Sequence, residues 1–173
     1  MEPISTLDLA VIEALHKRIT KLLPLQVRSC IQALDDEQIW WRPNDKTNSV
    51  GNLVLHLSGS IRHNLSHIVG GKDYRRDRPA EFAERGPVSK DKLLSIFDET
   101  IKQAAETLDS FDTARFLEAT KEPGYPTTLF DQILGVAVHL GVHTGQIVYV
   151  TKMLKEGSID ELWISALKAQ ANT

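Results

Sequence analysis

The 173-residue chain has a single cysteine and no long apolar run. Because a disulfide needs two cysteines, Cys30 cannot form one within the chain, and we expect a reducing, cytoplasmic setting. No uninterrupted apolar stretch approaches the roughly 18 residues that span a bilayer. The N-terminus also lacks the basic-then-apolar order of a signal peptide. We therefore expect no membrane as a partner.

The chain has no surplus of positive charge either. Its 20 Lys and Arg residues against 23 Asp and Glu residues give a formal net charge of -3, so the electrostatic footprint of a general nucleic-acid binder is missing. The most basic stretch, residues 72–78, contains interleaved aspartates and is typical of a solvated loop. With 42% hydrophobic and 25% charged residues, residues 1–173 are expected to form one globular domain.

Four segments repeat apolar residues every three or four positions, which is the pattern of helices with a buried face. The first and the fourth open with a hydroxyl residue followed three positions later by an aspartate, as in a capping box. We expect Pro24 to kink or end the first helix, because proline removes a hydrogen bond and crowds the preceding turn. The predicted helices cover about residues 5–34, 48–70, 89–108 and 128–157.

The connecting segments carry weaker signals. Residues 72–87 hold two prolines and many charges without periodicity and are predicted to be irregular, as are residues 111–126. A short amphipathic helix is predicted after Ser158, and the fourth helix, which is apolar on nearly every face, is expected to be buried among the others. No β-alternation of useful length is present. The predicted fold class is all-α, a four-helix bundle with an additional short C-terminal helix.

The histidines cluster. His139 and His143 on the fourth helix are four residues apart, so both imidazoles lie on one face at a spacing suited to one metal ion. His56 lies in the middle of the second helix among apolar residues and is the best source of a third ligand. His63 and His67 form a rival pair, but His63 lies about 10 Å along the helix from His56, too far for both to bind one ion. Polar neighbours indicate that this rival pair faces water near a helix end.

The residues alone leave two interpretations open. Three imidazoles on one ion would leave a coordination position for water or substrate, as in catalytic zinc sites. Alternatively, the same histidines are core or interface residues whose polar atoms are satisfied by hydrogen bonds.

Two stretches resemble motifs of the DinB/YfiT-like superfamily of metal-dependent four-helix-bundle proteins. Trp41–Arg42–Pro43 before the helix that contains His56 is similar to the family's tryptophan-proline turn and ligand histidine. The run HLGVHTGQI, residues 139–147, is similar to its H-x-x-x-H-x-G-Q motif. The resemblance implies an up-down-down-up bundle, a divalent metal on His56, His139 and His143, and commonly a homodimer.

The resemblance also implies a class of function, because characterised relatives include thiol-dependent transferases and a mycothiol-dependent maleylpyruvate isomerase. We expect a metal-dependent transferase that activates a low-molecular-weight thiol as its small-molecule substrate. The alternatives are a non-catalytic metal- or small-ligand-binding stress protein, a metal-dependent hydrolase, and a helical dimerisation module.

The identity of the metal stays open in the sequence. Zinc or nickel is expected first, and iron, copper or manganese are alternatives, since imidazole suits several of these ions. Leu140 stands where an H-E-x-x-H motif has its glutamate, which disfavours metalloprotease chemistry. Gln146 is expected either to orient a ligand or to have a structural role.

Overall fold

The computed structural model of the protein describes residues 6–86, 88–120 and 127–155, together with Ile164 and Lys168. Within these residues the long elements are helices, and one isolated β-bridge joins Ala119 to Thr128. The helices are α1 (Leu7–Lys17), α2 (Leu23–Ala33), α3 (Asp36–Trp40), α4 (Val50–Ile61), α5 (Arg78–Ala83), α6 (Lys90–Asp109) and α7 (Leu129–Leu154). Two π-helical segments, Arg18–Leu22 and Arg62–Val69, and a 3-10 turn at Thr113–Arg115 complete the order.

Four rods form a four-helix bundle, as predicted. Rod 1 is α1 joined to α2 through the first π-helical segment, and rod 2 is α4 continued by the second; rods 3 and 4 are α6 and α7. The shared core contains aliphatic residues from all four rods and the fully buried ring of Phe97. Each rod therefore buries one face, which is what the spacing of its apolar residues predicts.

Side-chain pairs fix the directions of the rods. His16 in the first half of rod 1 contacts Asp109 at the end of rod 3 with 3.0 Å between Nε2 and Oδ1, and Arg28 farther along rod 1 contacts Asp98, which comes earlier in rod 3, so these two rods are antiparallel. Lys72, just after rod 2, contacts Glu106 near the end of rod 3 at 3.0 Å, so rods 2 and 3 are parallel. His56 in rod 2 meets His139 near the middle of rod 4, while Val69 and Leu129 line one cavity at the other end, so rods 2 and 4 are antiparallel. The topology is up-down-down-up.

The predicted helix starts are mostly confirmed by their caps. Ser49 and Asn52 form a reciprocal capping box at the start of rod 2, and Thr128 and Asp131 form another at the start of α7. The Ser89 hydroxyl accepts a hydrogen bond from the Lys92 backbone at the start of α6. Such caps satisfy backbone N–H groups that have no partner within the helix. The predicted cap at Ser5 and the predicted helix after Ser158 lie outside the described residues.

Of the two outcomes expected at Pro24, a kink or an end, the structure rules out the end: a π-helical segment precedes Pro24 and α2 continues through it. Two other expectations were wrong. Residues 72–87 are not wholly irregular, because they contain α5, whose start is capped by Asp77. Finally, α7 is not buried on every side. Its exposed apolar residues, called the outer face below, are Leu134, Val138, Val142, Tyr149 and Met153.

The apolar character of α7 raises the question of whether this helix could cross a membrane. The helix has 26 residues, and the mean hydropathy of its most apolar window is 1.5, which is long and apolar enough to cross a bilayer by length and composition alone. The core helix of a soluble protein has the same character, and α7 packs on rods 1 and 2 along its inner face. The cytoplasmic location of the chain stays a prediction.

Candidate metal centre

Three imidazoles from two rods converge on one point. The Nε2 atom of His139 lies 3.0 Å from the Nε2 atom of His56 and 3.0 Å from that of His143. One ligand atom from each ring lies within 4.8 Å of the other two. Nitrogens that bind one tetrahedral zinc at 2.0 to 2.1 Å are about 3.3 Å apart. The three nitrogens therefore have the spacing of a three-histidine metal site.

The two rods position the rings by simple register. His139 and His143 lie one helical turn apart on α7, at the boundary between its buried side and its outer face, and both are half-buried. His56 comes from the buried middle of α4, where only 6% of it is exposed. Since rods 2 and 4 are antiparallel neighbours, the single histidine faces the pair. Among the described residues, no other histidine, cysteine or carboxylate belongs to this three-histidine group.

Hydrogen bonds at the outer nitrogens orient the rings. The Nδ1 atom of His143 lies 2.7 Å from Oε1 of Gln146, an acceptor, so Nδ1 carries the hydrogen and Nε2 presents a lone pair to the cluster. The Nδ1 atom of His56 lies 3.0 Å from Oε2 of Glu81. Histidines that bind metals commonly donate their second N–H to a carboxylate or carbonyl in this way. The lone pairs of His56 and His143 both face Nε2 of His139, and either an N–H of His139 or a cation between the rings satisfies them.

Glu81 reaches His56 from the segment that connects rods 2 and 3, residues 70–86, which we call the strap. Its carboxylate is buried, and Arg76 holds it with two hydrogen bonds, from Nε to Oε1 at 2.7 Å and from Nη2 to Oε2 at 2.8 Å. The neighbouring Phe82 places its ring 4.7 Å from the ring of His56. The strap therefore supplies both a polar and an apolar neighbour to the candidate site.

Two residues of α4 hold the strap in place. The buried Asn52 side chain donates to the backbone carbonyls of Glu81 at 3.1 Å and Glu84 at 2.9 Å. At Gly59 a Cβ atom would overlap the Glu81 carboxylate, so only glycine leaves room for the carboxylate against the helix. Residues of rod 2, as well as residues of the strap, therefore determine the position of Glu81.

The surroundings of His56 and His139 favour the neutral form of these two imidazoles. Burial, followed by the neighbouring His143 and His56, lowers the pKa of His139 to about 4. Burial also lowers the pKa of His56, against the opposing effect of Glu81. Neutral imidazole is the form that binds metals, so the lowered pKa values of His56 and His139 favour metal binding.

The other candidate residues lie elsewhere. The rings of His63 and His67 stack on each other with centroids 5.7 Å apart, and His67 donates from Nδ1 to the carbonyl of Lys72 at 2.7 Å. This rival pair belongs to no metal-like group in the described chain. Cys30 is fully buried, and burial raises the pKa of its thiol, as an inert core cysteine requires.

Sequence reasoning missed Glu81 and Arg76. Their segment has no periodicity, and their acidic and basic neighbours make them look like solvated charges. The one signal that could have found them is Gly59, a glycine inside an apolar helix close to His56, since such a glycine indicates the close approach of another group.

Comparisons with known proteins agree with this architecture. A family model described as a protein of unknown function, DUF1572, matches residues 10–168. The crystal structure of a DinB-like protein from Bacillus cereus ATCC 10987 is similar with a TM-score of 0.63 at 14% identity, covering 77% of this chain and 86% of that one. A conserved protein from Enterococcus faecalis is similar with a TM-score of 0.58 at 14% identity, covering 86% and 95%. No curated protein matches the chain.

Proposed function

Because this chain belongs to the DinB-like family DUF1572 and brings three histidines together, we propose that it binds a divalent metal ion through His56, His139 and His143. The carrying observation is the convergence of three Nε2 atoms, two of them oriented by hydrogen bonds at the opposite ring nitrogen. Zinc or nickel is the expected ion, with iron, copper and manganese as alternatives. The residues fit such an ion in donor type and spacing.

We propose further that the site is catalytic and that the protein is a transferase acting on a low-molecular-weight thiol. Three protein ligands leave one coordination position open. A bound metal would lower the pKa of a thiol or water at that position and so supply a nucleophile near neutral pH. The chain's own part is to orient His56 and His143 and to cover the ring of His56 with Phe82.

The metal site is tested by metal analysis of purified protein. We expect about one equivalent of metal in the wild type and a large loss in His143→Ala. The matched control is His67→Ala, which removes a histidine outside the cluster and should leave the metal content unchanged. Full metal retention in His143→Ala would contradict the ligand set.

The reaction is tested by conjugation of thiols to a generic electrophile. Bacillithiol, mycothiol, glutathione and coenzyme A are the thiols to compare, with the His143→Ala variant as the control. Metal-dependent turnover with one of them supports the transferase. Tight metal binding without turnover would instead favour a metal-binding stress protein or a hydrolase that uses metal-bound water.

We also propose that the outer face of α7 is the interface of a homodimer. Tyr149 is 67% exposed and Val138 58% exposed, and the face extends about 30 Å along the helix. Exposed apolar patches of this kind mark interaction surfaces. Asp131 and Lys152 stand at opposite ends of the face, so an antiparallel second copy would bring opposite charges together at both ends. This complementarity favours a copy of the same chain.

Light scattering of the purified protein tests the homodimer. We expect twice the chain mass for the wild type and the chain mass for Val142→Asp. The exposed Lys92 of α6 lies away from the outer face, so Lys92→Asp should leave the dimer intact. A wild-type protein that is monomeric at high concentration would contradict the interface.

A further inference from the structure

We infer that Glu81 selects the metal-binding tautomer of His56, and that Arg76 holds Glu81 in position for this role. This inference rests on the proposed metal site. It makes Glu81 a positioning residue, because it acts through His56.

Two groups compete for the Nδ1 atom of His56. Oε2 of Glu81 and Nη2 of Arg76 each lie 3.0 Å from it. A carboxylate only accepts hydrogen bonds and a guanidinium only donates them, while a neutral imidazole carries one N–H. Nδ1 can therefore donate to Glu81 or accept from Arg76, but it cannot do both.

The two choices have opposite consequences for the cluster. If Nδ1 donates to Glu81, the lone pair of His56 is on Nε2, which faces His139 at 3.0 Å. If Nδ1 accepts from Arg76, the hydrogen is on Nε2 and points at the place where an ion would bind. Glu81 thus favours the tautomer that can bind a metal, and Arg76 favours the one that cannot.

The contacts of Arg76 decide the competition. Its Nε and Nη2 atoms already donate to both oxygens of the buried Glu81 carboxylate, at 2.7 and 2.8 Å. Charge-assisted hydrogen bonds of this bidentate kind are about twice as strong as neutral ones. Nη2 keeps a second N–H beside Nδ1, so Glu81 decides the competition by binding the guanidinium more strongly than a neutral ring nitrogen can and by offering its own oxygen as the acceptor for Nδ1. Without Glu81, the guanidinium would be left beside Nδ1.

The experiment compares zinc affinity, measured by chelator competition, in the wild type, Glu81→Ala, Glu81→Gln and Glu84→Gln. Loss of such a supporting group costs about 10- to 100-fold in metal affinity, and we expect this in Glu81→Ala. Glu81→Gln should lose less, because its amide oxygen can still accept from Nδ1. Glu84→Gln is the matched control, since the Glu84 carboxylate lies on the same strap and accepts from the backbone of Arg85.

A double variant separates positioning from a merely structural role. Glu81→Ala combined with Arg76→Met removes the donor that favours the wrong tautomer, so zinc affinity should recover part of the loss seen in Glu81→Ala. If the strap merely needs its ion pair in order to pack, the double variant should bind zinc no better than the single one.

The tautomer itself is observable in metal-free protein by NMR of ¹⁵N-labelled histidine. We expect the hydrogen of His56 on Nδ1 in the wild type and on Nε2 in Glu81→Ala. A hydrogen on Nε2 in the wild type, or unchanged zinc affinity in Glu81→Ala, would overturn the role of Glu81. A wild-type protein that binds no zinc or nickel would instead contradict the proposed metal site, while the NMR result would still report on the tautomer.

Discussion

A methyl group added at Gly59 is expected to eject the Glu81 carboxylate from its place against rod 2. A Cβ atom at this position would overlap the carboxylate, and the next contact would be with Arg76. The backbone of rod 2 cannot yield easily, since both of its ends pack in the bundle. The side chain of Glu81 must therefore move, and its hydrogen bonds to His56 and Arg76 break together.

Two opposing effects set the size of the change in the free energy of unfolding. Replacing glycine by alanine inside a helix normally stabilises a protein by about 1 kcal/mol. Breaking a buried ion pair costs about 3 to 5 kcal/mol when one charge stays buried. The lower end applies to Gly59→Ala, because the displaced carboxylate can turn towards water. We expect the free energy of unfolding of Gly59→Ala to fall by about 2 kcal/mol. The variant is therefore destabilised, whereas replacing glycine by alanine in a helix normally stabilises a protein.

Urea unfolding of metal-free protein measures this difference. Gly135→Ala is the matched control, because no described atom lies within 4 Å of a Cβ atom at Gly135, and this variant should be more stable by up to about 1 kcal/mol. Gly59→Ala should also bind zinc as weakly as Glu81→Ala. A Gly59→Ala protein as stable as the Gly135→Ala control would refute the reasoning.

The remaining predictions concern the ligands and their supports. The pKa of His139 in the folded protein is about 4, below its ordinary 6.5, so the unfolded chain takes up the proton first as the pH falls. Metal-free protein should therefore lose up to about 3 kcal/mol of stability between pH 6.5 and 4, and urea unfolding of His139→Gln should show a smaller loss. Gln146→Leu leaves Nδ1 of His143 without its acceptor, and chelator competition should show about tenfold weaker zinc binding. This is the lower end of the usual 10- to 100-fold loss of metal affinity, because water can reach this exposed position and accept the hydrogen bond instead. Asn52→Ala leaves two strap carbonyls without their donor and removes the side-chain acceptor for Ser49 at the start of rod 2, and together these losses should cost about 3 kcal/mol in urea unfolding; an unchanged midpoint would show that other contacts hold the strap.

The bundle and the three histidines could be predicted because their signals are local. Apolar spacing and the capping residues Ser49 and Thr128 determine where helices begin, whatever the rest of the chain does. The spacing of His139 and His143 likewise follows from helix geometry alone. The choice of His56 as their partner followed from its apolar neighbours, and the structure places it opposite them.

The strap could not be predicted, because its structure depends on distant residues. The short helix α5 is too brief to be stable in isolation and is held by Asn52, some thirty positions earlier in the chain. The ion pair of Arg76 and Glu81 looks like two solvated charges until the bundle buries it. The outer face of α7 was misjudged for a related reason: the sequence shows that a face is apolar but not what covers it.

The parallel arrangement of rods 2 and 3 makes a long return path obligatory. A chain that finishes rod 2 at one end of the bundle must travel back to the other end before rod 3 can begin, and a tight turn cannot do this. The topology therefore brings the strap past His56, and no additional segment is needed to place residues beside this histidine. Substitutions in the strap can therefore alter the electrostatic environment of the three histidines. The four rods, and the register of the histidines on them, stay as they are.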